Sequence, residues 1–175
     1  MNIGSSISVV VPVFNEEENI YPLAQEIGSA LKGICNYEII FVNDFSTDDT
    51  ATTLTKLKNN ISEIRVIHHS QRSGQSAGLR TGILAAKNNI IVTLDGDGQN
   101  DPADIPSLLK KYEQSHDTHF AMITGHRVKR KDSWAKRYAS KIANTIRAYL
   151  LKDDNPDTGC GLKLFHKNLF LRLPY

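Results

Sequence analysis

Cysteine is scarce in this 175-residue chain: there are two, Cys35 and Cys160, far apart in sequence. They cannot supply a disulfide framework or the paired spacing of a zinc or redox site, so both read as reduced thiols. The six histidines, His68, His69, His116, His119, His126 and His166, show no paired helical spacing of the zinc-binding kind, and no catalytic role is assigned to them. Long apolar runs are missing too. The stretches at 7–13 and 39–42 fall far short of the roughly 20 residues that cross a bilayer. The opening Met1-Asn2-Ile3-Gly4-Ser5-Ser6 has no charged leader region and runs into a strand-like segment, which predicts no secretory signal and a cytoplasmic location. There is no internal repeat, low-complexity tract or interdomain linker. Aromatic residues make up 7% and are not interleaved with basic ones, and no nucleic-acid motif is present, so no nucleic-acid partner is expected.

What remains suits one domain, since 40% hydrophobic content is ample for a single packed core. The net charge of +2 hides an uneven distribution. From Arg127 to Lys152 there are nine basic residues and one acid, Asp132, which gives that segment +8. Of the 21 basic and 19 acidic residues, 12 and 18 then lie elsewhere, a balance of −6. Such clustering predicts an anionic partner for the segment. The chain stops at Leu173-Pro174-Tyr175 shortly after a helix begins near Lys167. The expectation is a single domain over residues 1–175 that continues beyond them.

Residues 7–13 form a run dominated by β-branched residues with no polar alternation, which predicts a strand covered on both faces. Residues 16–31 read as a helix with acids in its first turn, where they favour the positive end of the helix dipole. The pattern repeats. Strands are expected at 37–42, 64–67, 90–94 and 120–124, and helices at 50–58, 74–87, 105–112 and 134–150. This alternation predicts a mainly parallel α/β sheet flanked by helices. Ligands in such sheets bind beyond the carboxyl ends of the strands, which here carry Asn15-Glu16, Asn43-Asp44, Asp95-Gly96-Asp97 and Gly125-His126-Arg127.

Asp95-Gly96-Asp97-Gly98-Gln99 places two carboxylates two residues apart, with glycines that let the backbone turn. Hard oxygen donors of this kind suit Mg²⁺ or Mn²⁺, which keeps one or two protein carboxylates and fills its other positions with phosphate oxygens and water. A strand that ends in a polar turn would produce the same letters. Its placement after a buried strand, and the following Gln99-Asn100-Asp101-Pro102, favour the metal reading.

Several ordered motifs together resemble the family 2 glycosyltransferases, in particular the branch that makes dolichyl- or polyprenyl-phosphate sugars. They are Val11-Pro12-Val13-Phe14-Asn15-Glu16, Asn43-Asp44-Phe45-Ser46-Thr47-Asp48, Gly74-Gln75-Ser76-Ala77-Gly78-Leu79 and the stretch 94–106. Family members usually read Asp-Asp-Gly-Ser where this chain has Asn43-Asp44-Phe45-Ser46. The resemblance implies a GT-A, Rossmann-like fold and inverting transfer of a sugar from a nucleoside diphosphate. It implies that Pro12, Phe14, Asn15, Glu16 and Asp44 line the nucleoside pocket, with Asp44 accepting hydrogen bonds from the base; the lesser alternative is that Asp44 and Ser46 only cap a turn or helix. Asp95 would lie near the ribose and diphosphate, with Asp95, Asp97 and Gln99 at the metal. Gly74-Gln75-Ser76 reads either as a phosphate-approaching loop or as a plain helix cap.

On the acceptor side, the resemblance implies that Arg127 and Arg137 touch an acceptor phosphate, to which arginine's planar fork is suited. The neighbouring Lys129, Arg130, Lys131 and Lys141 read either as a solvated face or as part of that anion site. A basic helix beside the site also fits a lipid-linked acceptor and peripheral attachment at the cytoplasmic face of a membrane. Asp157, in Asp157-Thr158-Gly159-Cys160, would be the general base for a hydroxyl acceptor. A phosphate acceptor is already ionised and needs none, and Asp157 would then only position its loop. The alternatives are transfer to a saccharide hydroxyl and a non-catalytic nucleotide-sugar-binding module.

Overall fold

Strand β1 (Ile7–Val13) is buried at every position, as a run without polar alternation must be when helices cover both faces of a sheet. The computed structural model describes residues 6–115, 122–125 and 160–173. Along the chain follow α1 (Glu17–Leu31), β2 (Tyr37–Asn43), α2 (Thr50–Asn60), β3 (Ile64–His68), α3 (Gln75–Ala85) and β4 (Ile90–Thr93). A 3₁₀ turn (Pro102–Asp104) leads into α4 (Ile105–Gln114), and β5 (Met122–Thr124), β6 (Lys163–His166) and α5 (Lys167–Leu171) complete the described elements. The sheet order is β3-β2-β1-β4-β6-β5. β1 pairs in parallel with β2 and β4, and β2 with β3, whereas β6 runs antiparallel to both β4 and β5.

The mainly parallel α/β sheet expected from the sequence is therefore present, with one antiparallel strand inserted near its edge. The helix expected at 134–150 and residues Arg127, Arg137 and Asp157 lie outside the described residues.

Alternate side chains of the strands feed two apolar layers. Ile7, Val9 and Val11 join Ile39, Phe41 and the inward stripe of α1 (Ile20, Leu23, Ile27, Leu31) on one face. Val10, Ile40, Val42 and Ile91 lie on the other, beneath α3 and Phe165. Helix α3 approaches that face through glycines: a Cβ at Gly82 would collide with Val10, and one at Gly78 would come within 2.9 Å of the Pro12 Cβ. The helix is thereby held against the ends of β1 and β2, and its N-terminus is fixed over the carboxyl ends of the strands. Leu84 of this helix is exposed.

The opposite end of the sheet is tied by a buried carboxylate. Glu38 accepts from Ser8 Oγ (2.6 Å), the Arg65 guanidinium (2.7 Å) and the Lys87 backbone N–H (2.6 Å). Burial by itself pushes the Glu38 pKa up, but these bonds and the Arg65 charge outweigh it and hold the pKa below its ordinary value. A carboxyl depressed in the folded state stabilises fully above its unfolded pKa, and that contribution disappears as pH falls through the folded value. Urea midpoints should therefore drop below about pH 4, and Glu38→Gln should show a shallower acid limb than the wild type. An identical limb would mean that Glu38 contributes nothing to it.

Candidate active site

The carboxyl ends of β1, β2 and β4 open onto a cavity of about 310 Å³. Pro12, Val13, Phe14 and Glu16 reach it from the end of β1, Asp44 from β2, and Asp95, Gly96 and Asp97 from β4. Arg72, Gly74 and Gln75, from the loop that enters α3, close the remaining side. Five residues expected at the nucleotide, Pro12, Phe14, Glu16, Asp44 and Asp95, are thus brought together with Asp97.

Asn15 takes a different place. It adopts a left-handed backbone (φ 55°) and its side chain ties two loops: Oδ1 accepts from the Thr47 N–H (2.8 Å) and Nδ2 donates to Thr47 Oγ1 (3.2 Å). Its own N–H donates to Ser46 Oγ (3.0 Å). It holds the β1–α1 and β2–α2 loops in register and does not line the cavity. Gln99 also stays outside, with an exposed side chain.

The second loop carries Phe45 at φ 62°, half exposed. A side chain in this region costs about 1–2 kcal/mol, which explains why glycine usually occupies the matching position of the resembling sequences. Phe45→Gly should raise stability by roughly 0.5–1 kcal/mol, less than the strain released because glycine gains entropy in the unfolded chain. A denaturant midpoint that stayed level or fell would mean that the ring makes contacts outweighing the strain.

Asp44 is the most constrained acid of the cavity, at 3% exposure. Its Oδ1 accepts from His69 Nδ1 (2.7 Å) and the Ser73 N–H (2.8 Å), and its Oδ2 from the Gly74 N–H (2.7 Å). Burial alone would raise its pKa. The three hydrogen bonds and the His69 charge outweigh that effect and keep Asp44 below the ordinary carboxylate range, ionised at neutral pH. The histidine, read from the sequence without a role, therefore lies directly behind the cavity.

Asp95 is held from two sides. Gln75 Nε2 donates to Oδ1 (2.7 Å) and Asn100 Nδ2 to Oδ2 (3.2 Å), while the buried Cys160 thiol donates to Asn100 Oδ1 (3.4 Å) and so fixes which way that amide faces. Gly161 packs so closely on the Asp95 carboxylate that a Cβ there would collide with it. Asp97 is exposed, and one of its oxygens accepts from the Gln99 N–H (3.1 Å) in a tight turn. Arg72 lies 3.8 Å over the Phe14 ring, a cation–π contact at the cavity wall.

Among the described residues the cavity thus carries Glu16, Asp44, Asp95 and Asp97 against one lining cation, Arg72. A diphosphate entering among these carboxylates would be repelled unless a cation accompanied it. The donor set fits Mg²⁺ or Mn²⁺: Asp95 and Asp97 are hard oxygen ligands, and phosphate and water would complete the shell. No cluster of three or more His, Cys, Asp or Glu side chains able to hold a metal occurs among the described residues.

Fold and cavity define an α/β protein with an acidic ligand site at the strand ends. Residues 8–173 match the model of Glycosyl transferase family 2, and the chain belongs to that family. It is 32% identical over 166 residues to a dodecaprenyl-phosphate galacturonate synthase of Rhizobium johnstonii, a match that covers 93% of this chain and 48% of that protein. It is 31% identical over 165 residues to an undecaprenyl-phosphate 4-deoxy-4-formamido-L-arabinose transferase of Serratia proteamaculans, covering 93% and 49%. The chain therefore spans about half the length of these relatives.

Two solved structures share the fold. Glucosyl-3-phosphoglycerate synthase from Mycobacterium tuberculosis, in complex with UDP, superposes with a TM-score of 0.71 at 23% identity, over 98% of this chain and 60% of that one. A mannosyltransferase from Pyrobaculum calidifontis, in complex with GDP-Man and Mn²⁺, gives 0.67 at 19% identity, over 97% and 47%.

Among the described residues no helix is long and apolar enough to cross a membrane. The loop before α3 was the part of the site least visible in sequence. Gly74 and Gln75 stand out as a loop that opens a helix, but nothing in the letters alone shows that Arg72 folds back over Phe14.

Proposed function

We propose that this chain is the donor-binding catalytic part of an inverting transferase that moves a sugar from a UDP- or GDP-sugar to a polyprenyl phosphate. The observation that carries the reading is the cavity itself, where Pro12, Phe14 and Asp44 meet Asp95 and Asp97 at the strand ends. The kinship with polyprenyl-phosphate sugar enzymes supports the acceptor.

Phe14 and Asp44 bind the nucleoside, the first by its ring face and the second as an acceptor for a base N–H. Asp95, braced by Gln75 and Asn100, faces the ribose and diphosphate. Asp97, Asp95 and Gln99 would hold Mg²⁺ or Mn²⁺, and the ion would supply Lewis-acid neutralisation of the charge that develops on the departing nucleoside diphosphate. Arg127 and Arg137 orient the acceptor phosphate, whose oxygen attacks the anomeric carbon from the side opposite the leaving group and inverts it. An ionised phosphate needs no general base, so Asp157→Asn should leave transfer to polyprenyl phosphate largely intact. If the acceptor is a saccharide hydroxyl, the same variant should be inactive.

The donor half of the reading is tested by thermal unfolding with UDP, GDP, CDP or ADP, each with Mn²⁺, Mg²⁺ or EDTA. A ligand at about 100 times its Kd stabilises by roughly 2.7 kcal/mol. A metal-dependent shift with UDP or GDP is expected, followed by label transfer from the matching sugar nucleotide into an organic-extractable polyprenyl phosphate. Well-folded protein that responds to no nucleotide would refute the donor site.

A further inference from the structure

Asp44 does not meet the cavity as a free carboxylate. A carboxylate has about four acceptor positions, two on each oxygen. On Oδ1 both are filled, by His69 Nδ1 and the Ser73 N–H, and on Oδ2 one is filled, by the Gly74 N–H. Because a carboxylate only accepts, His69 Nδ1 carries the proton in this contact. Its Nε2 lies 2.9 Å from Thr81 Oγ1, whose hydroxyl donates to it when the ring is neutral. Thr81 belongs to α3 and His69 follows β3, so the ring is fixed from both ends by regular elements. The His69 and Asp44 side chains are 13% and 5% exposed, which leaves little room for either to rotate. One acceptor position on Oδ2 remains for a ligand.

From this geometry we infer that His69, braced by Thr81, is a specificity-determining positioning residue that leaves Asp44 a single acceptor and so selects a uridine over a guanosine diphosphate donor. The inference rests on the donor-site reading above and narrows it. Guanine presents two adjacent donors, N1–H and the 2-amino group, and is matched by a carboxylate with both oxygens open. With Oδ1 filled, the 2-amino group would face an oxygen that has no acceptor position left. Uracil presents one donor, N3–H, between two carbonyl oxygens, and needs one acceptor. Cytosine and adenine would set a ring-nitrogen lone pair against the carboxylate. A mismatch of donors and acceptors in a buried site is discriminated strongly, because the unpaired group loses its water without replacement.

The test is isothermal titration of UDP and GDP with Mn²⁺ into the wild type and three variants. Wild type should bind UDP more tightly than GDP by about tenfold or more. His69→Ala opens Oδ1, and the UDP/GDP ratio should fall by about tenfold, chiefly through a gain for GDP. His69→Asn places an amide N–H close to the position of Nδ1 and should restore the wild-type ratio, a rescue that a merely structural role would not produce. Thr81→Val frees the far side of the ring and should fall between them; it keeps the inference testable if His69→Ala does not fold. Equal or tighter binding of GDP by the wild type, or a ratio that His69→Ala and Thr81→Val leave unchanged, overturns the inference while the donor site stands. Absence of binding by any nucleotide overturns both.

Discussion

Asp97→Asn should leave the protein folded as before and lower sugar transfer by about 10²–10³-fold, the loss typical when one group that stabilises transition-state charge is removed. The two halves of this expectation have separate causes. Asp97 is exposed, and the one hydrogen bond it makes, from the Gln99 N–H to Oδ1, is available to an asparagine carbonyl as well. Its replacement should therefore change stability by no more than about 0.5 kcal/mol. The charge is what the substitution removes. With Glu16, Asp44 and Asp95 already in the cavity, the proposed metal site would owe its attraction for a divalent cation to the second carboxylate beside Asp95. The extra thermal stabilisation that Mn²⁺ gives to the nucleotide complex should vanish with the activity. Asp95→Asn is a less clean probe, because an amide there would turn an N–H toward Gln75 Nε2 or Asn100 Nδ2. Full activity in Asp97→Asn, measured as initial rate against metal concentration, would remove Asp97 from the metal site.

Much of this arrangement is legible in the letters, and the reason is local. β1 and β2 announce themselves by runs rich in Val and Ile because both faces are buried, and a ligand site at strand ends follows from the alternation alone. Asp95 and Asp97 stand out because two acids and two glycines in five residues after such a strand are unusual. β6 is harder to see. It has four residues, no hairpin turn leads into it, and its place between β4 and β5 depends on pairing with strands about 40 and 70 positions earlier. The roles of Asn15 and His69 are invisible for the same reason: each is defined by a partner 25 to 32 residues away, Thr47 and Ser46 for the first and Asp44 for the second. Phe45 is an intermediate case. Its departure from the usual glycine is visible in sequence, while its left-handed backbone is what gives the departure a measurable consequence.

Gly161→Ala should damage both stability and donor binding, although it adds a single methyl group. Gly161 does not have the positive φ that favours glycine, so an alanine backbone is acceptable there and the effect is steric. The methyl group would occupy the space of the Asp95 carboxylate. Asp95 cannot swing aside without giving up the bonds from Gln75 and Asn100. The alternative is for the chain at 160–162 to retreat. That breaks the 2.7 Å bond from Thr93 Oγ1 to the Gly161 carbonyl and pulls on Cys160 and Leu162, each 2% exposed. Overpacking of this kind costs about 1–3 kcal/mol, and a displacement of about 1 Å at a reacting group can cost roughly 10²-fold in rate. Gly125→Ala is the control. The nearest atoms a Cβ at 125 would meet belong to the Leu162 side chain, at 3.0 Å, a tight contact and not the overlap found at 161. Its effect on Tm should be smaller and its effect on nucleotide affinity slight. If Gly161→Ala instead bound UDP or GDP with wild-type affinity and melted at the wild-type Tm, the close packing of Asp95 against Gly161 would not be what holds this carboxylate in place.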